Sequence, residues 1–427
     1  MDQIFRRRIK KIQNIFGRSK RSCSLVLSSA PARRRSGDTD YRYRQSSNFY
    51  YLTGTLASDL TIVISSKSAN AVLIAPPNDK HRTLWEGAPP NYKQLARKLD
   101  ATLVVEKDLL AETLKHVLDS EQLYYEKDPG CLSHEVAQHI VAQPSHRSLR
   151  LPHSLTDCNE LLAELRLYKD PHEVKLIQHA AKVTSDAICL AIQATRAGMR
   201  EYEIRATLEG AFQQHGCEVG FQSIVATGKS AATLHYVTAN RILRRRDLIL
   251  LDCGAEYQNY SADISRVYPV SGRFTDEQAE LYNVVLDAQK AAINKIKDGV
   301  KIATVYMAAA RKLTAGLRRL KVLHGDTAKL IKKGAYLPYF MHSIGHSLGL
   351  DVHDIGKLRG NNRATLRKGM VFTVEPGLYF SKPVKDIPAC GIRIEDDVLV
   401  TSNGCKILTR DCPKEIAQLE ALMDHTA

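Results

Sequence analysis

No run of eighteen or more apolar residues occurs in this chain of 427 residues, so no segment has the length a membrane-spanning helix needs. The cysteines lack pattern. Nine are scattered, with no CxxC pair and no regular spacing. That argues against a disulfide framework and a cysteine-based zinc site, and for a reducing, cytoplasmic compartment. No internal repeat of short fixed period is visible, and tryptophan occurs once, at Trp85. Acidic residues are the minority charge: 46 stand against 61 basic ones, giving +15. Much of the excess is local, in Arg6-Arg7-Arg8, Arg33-Arg34-Arg35 and Arg244-Arg245-Arg246. Such a balance suits a polyanion partner and equally serves solubility. After the basic residues 1–21, Ser24–Ala30 is too short and too rich in serine for a secretory apolar core. Ile4, Ile9, Ile12 and Ile15-Phe16 fall near helical spacing, so a basic amphipathic first helix is expected there.

At 44% hydrophobic and 25% charged residues the composition is that of an ordinary globular protein. The length calls for two or three domains. Strand-like runs at Ser24–Leu27, Leu60–Ile64, Ala71–Ile74 and Thr102–Val105 alternate with helical patterns at Tyr92–Leu99, Leu109–Leu118 and Ser133–Val141. This predicts a small α/β unit with a parallel or mixed sheet. Pro144–Cys158 is polar and contains proline, and reads as a linker, so the domains are expected at 1–158 and 159–427. Beyond it, Asp170-Pro171-His172-Glu173 is a strong helix start: an N-cap, a proline at N1 and a glutamate placed to close a capping box. Tyr202–Gln214, Asp276–Asp298 and Ile302–Leu320 read as further helices. Helix pairs precede strand groups twice, near 165–270 and 275–410, which hints at two related halves.

The stretch with the most chemistry is Leu248–Pro269. The apolar strand 248–251 ends in Asp252, and after a turn over Tyr257–Asn259 the chain returns with Asp263. The symmetric spacing predicts that the two carboxylates are cross-strand neighbours, roughly 5 Å apart, with a bulge at Asn259 able to shift the pairing by one residue. Cys253 should face the other side. Two buried carboxylates repel and are costly to desolvate, so basic side chains or metal ions should sit between them. Three further segments join the hairpin. His342, His346 and His353 fall within twelve residues, alongside Gly345 and Gly349, which permit close backbone approach. Glu375 closes the strand 371–374, sharing a face with Val371 and Thr373. Arg393 and Glu395 share a face of a strand whose other side carries Ile392 and Ile394. Four carboxylates and one imidazole would be balanced by two divalent cations. Such a donor set suits Mn²⁺, with Co²⁺ or Zn²⁺ as competitors, and two ions about 3.5 Å apart form a hydrolytic site.

The segments LLDCGAEYQNYSADISRVYPVSG, MHSIGHSLGLDVHD, TVEPGLY and GIRIEDD, in that order, resemble the site segments of the pita-bread metallopeptidases, and of the aminopeptidase P family most closely. RRSGDTDYRYRQSSNFYYLTG at 34–54 and Thr83-Leu84-Trp85-Glu86-Gly87 are similar to that family's smaller domain, so the resemblance covers nearly the whole chain. It implies an α/β (α+β) protein with a small N-terminal α/β domain. A C-terminal pita-bread domain follows, with a curved, mainly antiparallel sheet and covering helices. It implies two metal ions per subunit. Asp252 holds one, Asp263 and Glu395 bridge both, and His346 and Glu375 hold the other. His235 and His353 are implied as substrate-side histidines and His342 as another near the site, with Tyr379 and Arg393 orienting carboxylates. Trp85 is implied to reach a neighbouring subunit's site in a dimer or tetramer. Ser343 and Ser347 depart from the family's glycine and tryptophan. Its substrate-binding arginine aligns with either Arg359 or Arg363.

The implied activity is release of the N-terminal residue from peptides with proline in second position. A metal-bridging hydroxide would attack the carbonyl before proline, with His353 or His235 on the developing oxyanion and Glu375 shuttling the proton. A prolidase, limited to Xaa-Pro dipeptides, would use the same ligands; the Trp85 and Tyr41–Gly54 segments favour the aminopeptidase. A pita-bread protein that has lost catalysis and binds nucleic acid through its positive charge should have lost ligands, yet all five are present. Neither a nucleic-acid nor a membrane partner is therefore expected.

Overall fold

The structure is a computed structural model that describes residues 2–143, 151–356, 358 and 363–424. Its chain separates into two compact units, Met1–Leu165 and Arg166–Ala427.

The first unit is built on a six-stranded mixed sheet. From edge to edge its strands are Ala101–Val105, Ala71–Ala75, Thr61–Ser65, Cys23–Ser28, Gln122–Tyr125 and Ser154–Asp157. Three of the pairings are parallel and two antiparallel. The four expected strands are present. Ser154–Asp157, read as linker from its polarity, is instead an edge strand paired with Gln122–Tyr125; its residues are only half-buried, so no apolar run marks it. The opening helix, Asp2–Gly17, is amphipathic, but its buried stripe is Phe5, Ile9, Ile12 and Phe16, while Ile15 is exposed. Arg8 completes that stripe. It is buried because its guanidinium lies 4.0 Å from the Tyr51 ring centroid and donates to Tyr51 O at 2.8 Å.

In the second unit two helix pairs each precede a three-stranded antiparallel sheet. Helices Pro171–Ala194 and Glu201–Gln214 go with strands Ile224–Thr227, Leu248–Cys253 and Ile264–Pro269. Helices Asp276–Ile293 and Ile302–Arg319 go with strands Val371–Val374, Asp396–Val400 and Cys405–Ile407. The first helix begins as its sequence requires: Asp170 accepts from the amides of His172 and Glu173, and Glu173 returns a bond to the Asp170 amide. One large apolar core, from Leu167 to Met423, runs under both sheets. The halves are stitched where Glu395 N donates to Ser265 O at 3.2 Å and Arg266 Nη1 donates to Glu395 O at 2.5 Å.

The central hairpin differs from the symmetric pairing. Gln258 and Asn259 both have positive φ, 48° and 64°, and form a two-residue turn between Tyr257 and Tyr260. The register that follows is Asp252 opposite Ser265 and Cys253 opposite Ile264. Asp263 is therefore displaced two residues from Asp252, on the same face and diagonal to it, with no bulge needed. Gly254 makes this possible: a methyl group there would lie 1.8 Å from Ala262 O. Gly254→Ala should cost at least the 1–3 kcal/mol of overpacking (about), since the obstacle is backbone. Gly210, inside a helix with nothing within 4 Å of an added methyl, is the control; Gly210→Ala should gain about 0.5–1 kcal/mol. Urea unfolding of both variants checks this. Equal stability of the two would remove the close-approach argument.

Candidate metal centre

Strand alternation and the hairpin register bring carboxylates from both halves of the second unit to one place. Asp252 ends the Leu248–Cys253 strand, and Asp263 precedes Ile264–Pro269. Glu375 follows Val371–Val374, and Glu395 lies between Cys390–Arg393 and Asp396–Val400. Ile392 and Ile394 point into the core, as alternation requires. His346 arrives on a segment that runs beside Val371–Glu375: Thr373 N donates to His346 O at 2.9 Å, and His346 N donates to Thr373 Oγ1 at 3.0 Å. Gly345 is needed at this crossing, because a methyl group would stand 1.8 Å from Thr373 O.

One oxygen each from Asp263 and Glu395 and a nitrogen from His346 lie within 4.8 Å of one another. His346 Nε2 is 3.4 Å from Asp263 Oδ2 and 3.5 Å from Glu375 Oε1. Its Nδ1 faces the Ser347 carbonyl at 3.1 Å, which makes Nδ1 the protonated nitrogen and turns the Nε2 lone pair toward the carboxylates. Asp252 Oδ1, Asp263 Oδ1 and Glu395 Oε1 are buried with no hydrogen-bond partner among the described residues. A buried carboxylate oxygen without a donor is a costly arrangement that a cation relieves. The donor set of carboxylates with one neutral imidazole thus fits divalent metal ions.

The electrostatics agree. Burial, then the neighbouring carboxylates Glu395 and Asp252, hold the Asp263 carboxyl well above the usual range. Burial and Glu375 and Asp252 do the same for Glu395. Glu375 is also raised, chiefly by burial.

Around these groups lies a chain of donors. Arg393 Nη2 bonds Asp252 Oδ2, its Nε donates to Ser265 Oγ at 2.8 Å, and Ser265 Oγ donates to Glu395 Oε2 at 2.8 Å. Arg393 Nη1 donates to Tyr379 Oη at 2.9 Å, and that hydroxyl lies 2.9 Å from His342 Nε2. His342 Nδ1 faces Ser343 O at 2.8 Å and is 3.8 Å from Glu375 Oε2. Burial lowers the His342 pKa, and with Nδ1 facing the Ser343 carbonyl the neutral ring has Nε2 free to accept from Tyr379.

The other expected residues fall differently. The His353 ring packs edge-on against His346, with centroids 4.2 Å apart. His235 lies on an exposed stretch four residues beyond Ala231, whose carbonyl abuts the backbone of Gly391. Arg363 is exposed, and Arg359 lies outside the described residues. Trp85 belongs to the first unit. It lies in the helix Lys80–Glu86, capped by Asp79, and it is 76% exposed.

Sequence reading missed several supports. Glu201, buried at a helix start, accepts from Thr227 N, Thr227 Oγ1, Arg241 N and the Tyr236 hydroxyl, and so pins the residue after His235. Asp397 Oδ2 accepts from Asp263 N at 3.1 Å. Ser265 could have been found from its place two residues after Asp263, on the same face; Glu201 carried no local signal.

Residues 175–402 match metallopeptidase family M24, and residues 5–125 match the aminopeptidase P N-terminal domain. The chain belongs to metallopeptidase family M24. Among this M24 chain's relatives, the Xaa-Pro aminopeptidase of Haemophilus influenzae is 34% identical, covering 96% of this chain and 95% of its own length. That of Escherichia coli is 33% identical, covering 94% and 93%. The structure of Pseudomonas aeruginosa aminopeptidase PepP matches with a TM-score of 0.92 at 34% identity, over 99% of this chain and 98% of that one. Zinc-substituted Escherichia coli aminopeptidase P in complex with product matches with a TM-score of 0.92 at 30% identity, over the same shares.

Protons and metal compete for these carboxylates. The folded, metal-free pKa values of Asp263 and Glu395 are raised above those of the unfolded chain. The metal-free fold is therefore helped by protonation as pH falls through them and loses that help as pH rises. Metal needs the deprotonated forms and stabilises most above them. The rise in Tm on adding MnCl₂ to chelator-stripped protein should be larger at pH 8 than at pH 5, and should be largely lost in Asp263→Asn. An increment independent of pH would count against the carboxylate set as the binding site.

Proposed function

We propose that the carboxylate and imidazole cluster carries the Xaa-Pro aminopeptidase activity of this chain, releasing the N-terminal residue from peptides with proline in second position. The observation that supports it most is the convergence of Asp263, Glu395 and His346 donor atoms within 4.8 Å, with buried carboxylate oxygens unsatisfied beside them. Asp263 and Glu395 would bridge two divalent ions, Asp252 would hold one, and His346 and Glu375 the other. The ions supply a Lewis acid for the scissile carbonyl and water of lowered pKa. Mn²⁺ is the proposed ion because the donors are mostly hard carboxylate oxygens.

The protein's own groups do the rest. Arg393 fixes Asp252 and, through Ser265, Glu395, so the ligands are oriented before substrate arrives. Glu375 is the proton carrier: its side chain is 16% exposed, burial raises its pKa, and it stands between His342 and His346. His353, edge-on to His346, and His235 would serve as donors to the oxyanion. His342 and Tyr379 hold the far side of Glu375 and Arg393. Arg363 and Arg359 remain the candidates for binding the part of the peptide beyond proline. His353→Ala should keep both metals and lose at least tenfold in kcat; loss of metal by elemental analysis would instead make His353 a ligand.

Substrate length separates this reading from a prolidase. We favour the aminopeptidase because the aminopeptidase P N-terminal domain is present. Leu84 and Trp85, 82% and 76% exposed, would then contact a neighbouring subunit and its peptide in a homo-oligomer. The compartment is proposed to be the cytoplasm. Nucleic-acid binding without catalysis is disfavoured because every expected ligand is present. A tripeptide Xaa-Pro-Xaa should be cleaved faster than Xaa-Pro. Trp85→Ala should raise KM for the tripeptide by about tenfold, the loss of one aromatic contact of about 1–2 kcal/mol, with metal content unchanged. Full activity in a monomer by light scattering would refute the shared site.

A further inference from the structure

Behind the metal centre lies a second buried cluster of charges. Asp354 is held from both sides: Arg166 Nη2 donates to its Oδ1 at 2.5 Å, and Lys169 Nζ donates to its Oδ2 at 2.8 Å. The three side chains are 1–2% exposed. Arg166 Nη2 also reaches Asp351 Oδ2 at 2.7 Å, so these four groups set two cations against two carboxylates. Burial alone would raise the Asp354 pKa, but Arg166 and Lys169 outweigh it and the pKa is lowered. The cations rest on fixed backbone. Lys169 N donates to Gly369 O at 2.8 Å, and the next residue, Asp170, caps the helix Pro171–Ala194.

Asp354 closes a loop. Its amide donates to Ser347 O at 3.0 Å, and Gly349 N donates to Asp351 O at 3.1 Å. Ser347 O is also the carbonyl that His346 Nδ1 faces. Gly349 leaves room for the carboxylate: a methyl group there would lie 2.3 Å from Asp354 Oδ2. His353 is the residue before Asp354, and its ring stands against His346. An exposed histidine beside the closure of such a loop would lose orientation without such an anchor. Buried charge pairs contribute little net stability but fix one arrangement strongly when removal would strand a charge.

We infer that Asp354, clamped between Arg166 and Lys169, is a positioning residue that sets the His353 ring for the reaction. This rests on the reading of His353 as a substrate-side group.

The test is a double-mutant cycle on metal-loaded protein with an Xaa-Pro-Xaa tripeptide. Asp354→Asn should lower kcat at least tenfold with metal content equal to wild type. In a His353→Ala background the same substitution should lower kcat less than twofold further, because the group it positions is gone. Losses that multiply across the cycle, or wild-type kcat in Asp354→Asn, would overturn the inference while leaving His353 in place. Wild-type kcat in His353→Ala alone would remove the reading of His353 and the inference with it. Should Asp354→Asn not fold, Gly349→Ala keeps every charge and displaces the carboxylate; the same non-additive pattern is expected of it, and additivity overturns the inference.

Discussion

Four carboxylates brought together out of water set the terms for the second unit. Asp252, Asp263, Glu375 and Glu395 repel one another at short range. Among the described residues they have one guanidinium, from Arg393, and two imidazoles, from His346 and His342. Left alone such a cluster favours protonation or unfolding. The direction of the pKa shifts makes the contrast within one protein. Asp354 and Asp396 are as deeply buried, yet their pKa values are lowered, because Arg166 and Lys169 hold the first and Arg266 and Lys414 the second. Asp263 and Glu395 have no such pair of cations on them among the described residues and are raised. A divalent cation from outside the chain would relieve them.

Much of the surrounding structure keeps that unfavourable cluster in register. Arg266 is fully buried and donates to Glu395 O, Ser265 O, Cys412 O and Pro413 O as well as to Asp396. Gln289 and Lys414 add to the Asp396 side. This locks the Asp396–Val400 strand to Ile264–Pro269, and with it Glu395 to the neighbourhood of Asp263. Net charge plays no part here. Two of the basic triplets, Arg33-Arg34-Arg35 and Arg244-Arg245-Arg246, are exposed, and the site depends on a few buried cations whose positions are fixed by hydrogen bonds.

The histidines divide by surroundings in the same way. His346 and His342 are oriented by carbonyls and hydroxyls within the cluster. His353 and His235 sit on loops whose fixing groups are remote in sequence: Asp354 with Arg166 and Lys169, and Tyr236 with Glu201. A loop can place a reactive group only as well as its support allows. In both loops a buried carboxylate holds the residue next to the histidine in the chain: Asp354 follows His353 and is itself the carboxylate, and Tyr236 follows His235 and donates to Glu201.

The sequence alone determined the elements whose signal is local. The Asp170 capping box, the apolar run 248–251 and the alternation around Ile392 and Ile394 each need only near neighbours, and each is found as read. It also marked which side chains are chemically unusual, since a carboxylate closing an apolar strand is visible without coordinates. Tertiary structure decided the distances. The offset of Asp252 from Asp263 followed from left-handed Gln258 and Asn259 and from the space at Gly254, which spacing symmetry does not reveal. The polar edge strand 154–157 is held by its pairing and not by its own pattern. The joining of Ser265 to Glu395, of Arg166 to Asp354 and of Glu201 to Tyr236 spans tens to well over a hundred residues, and only the packing of elements remote in sequence brings such groups within reach of a hydrogen bond.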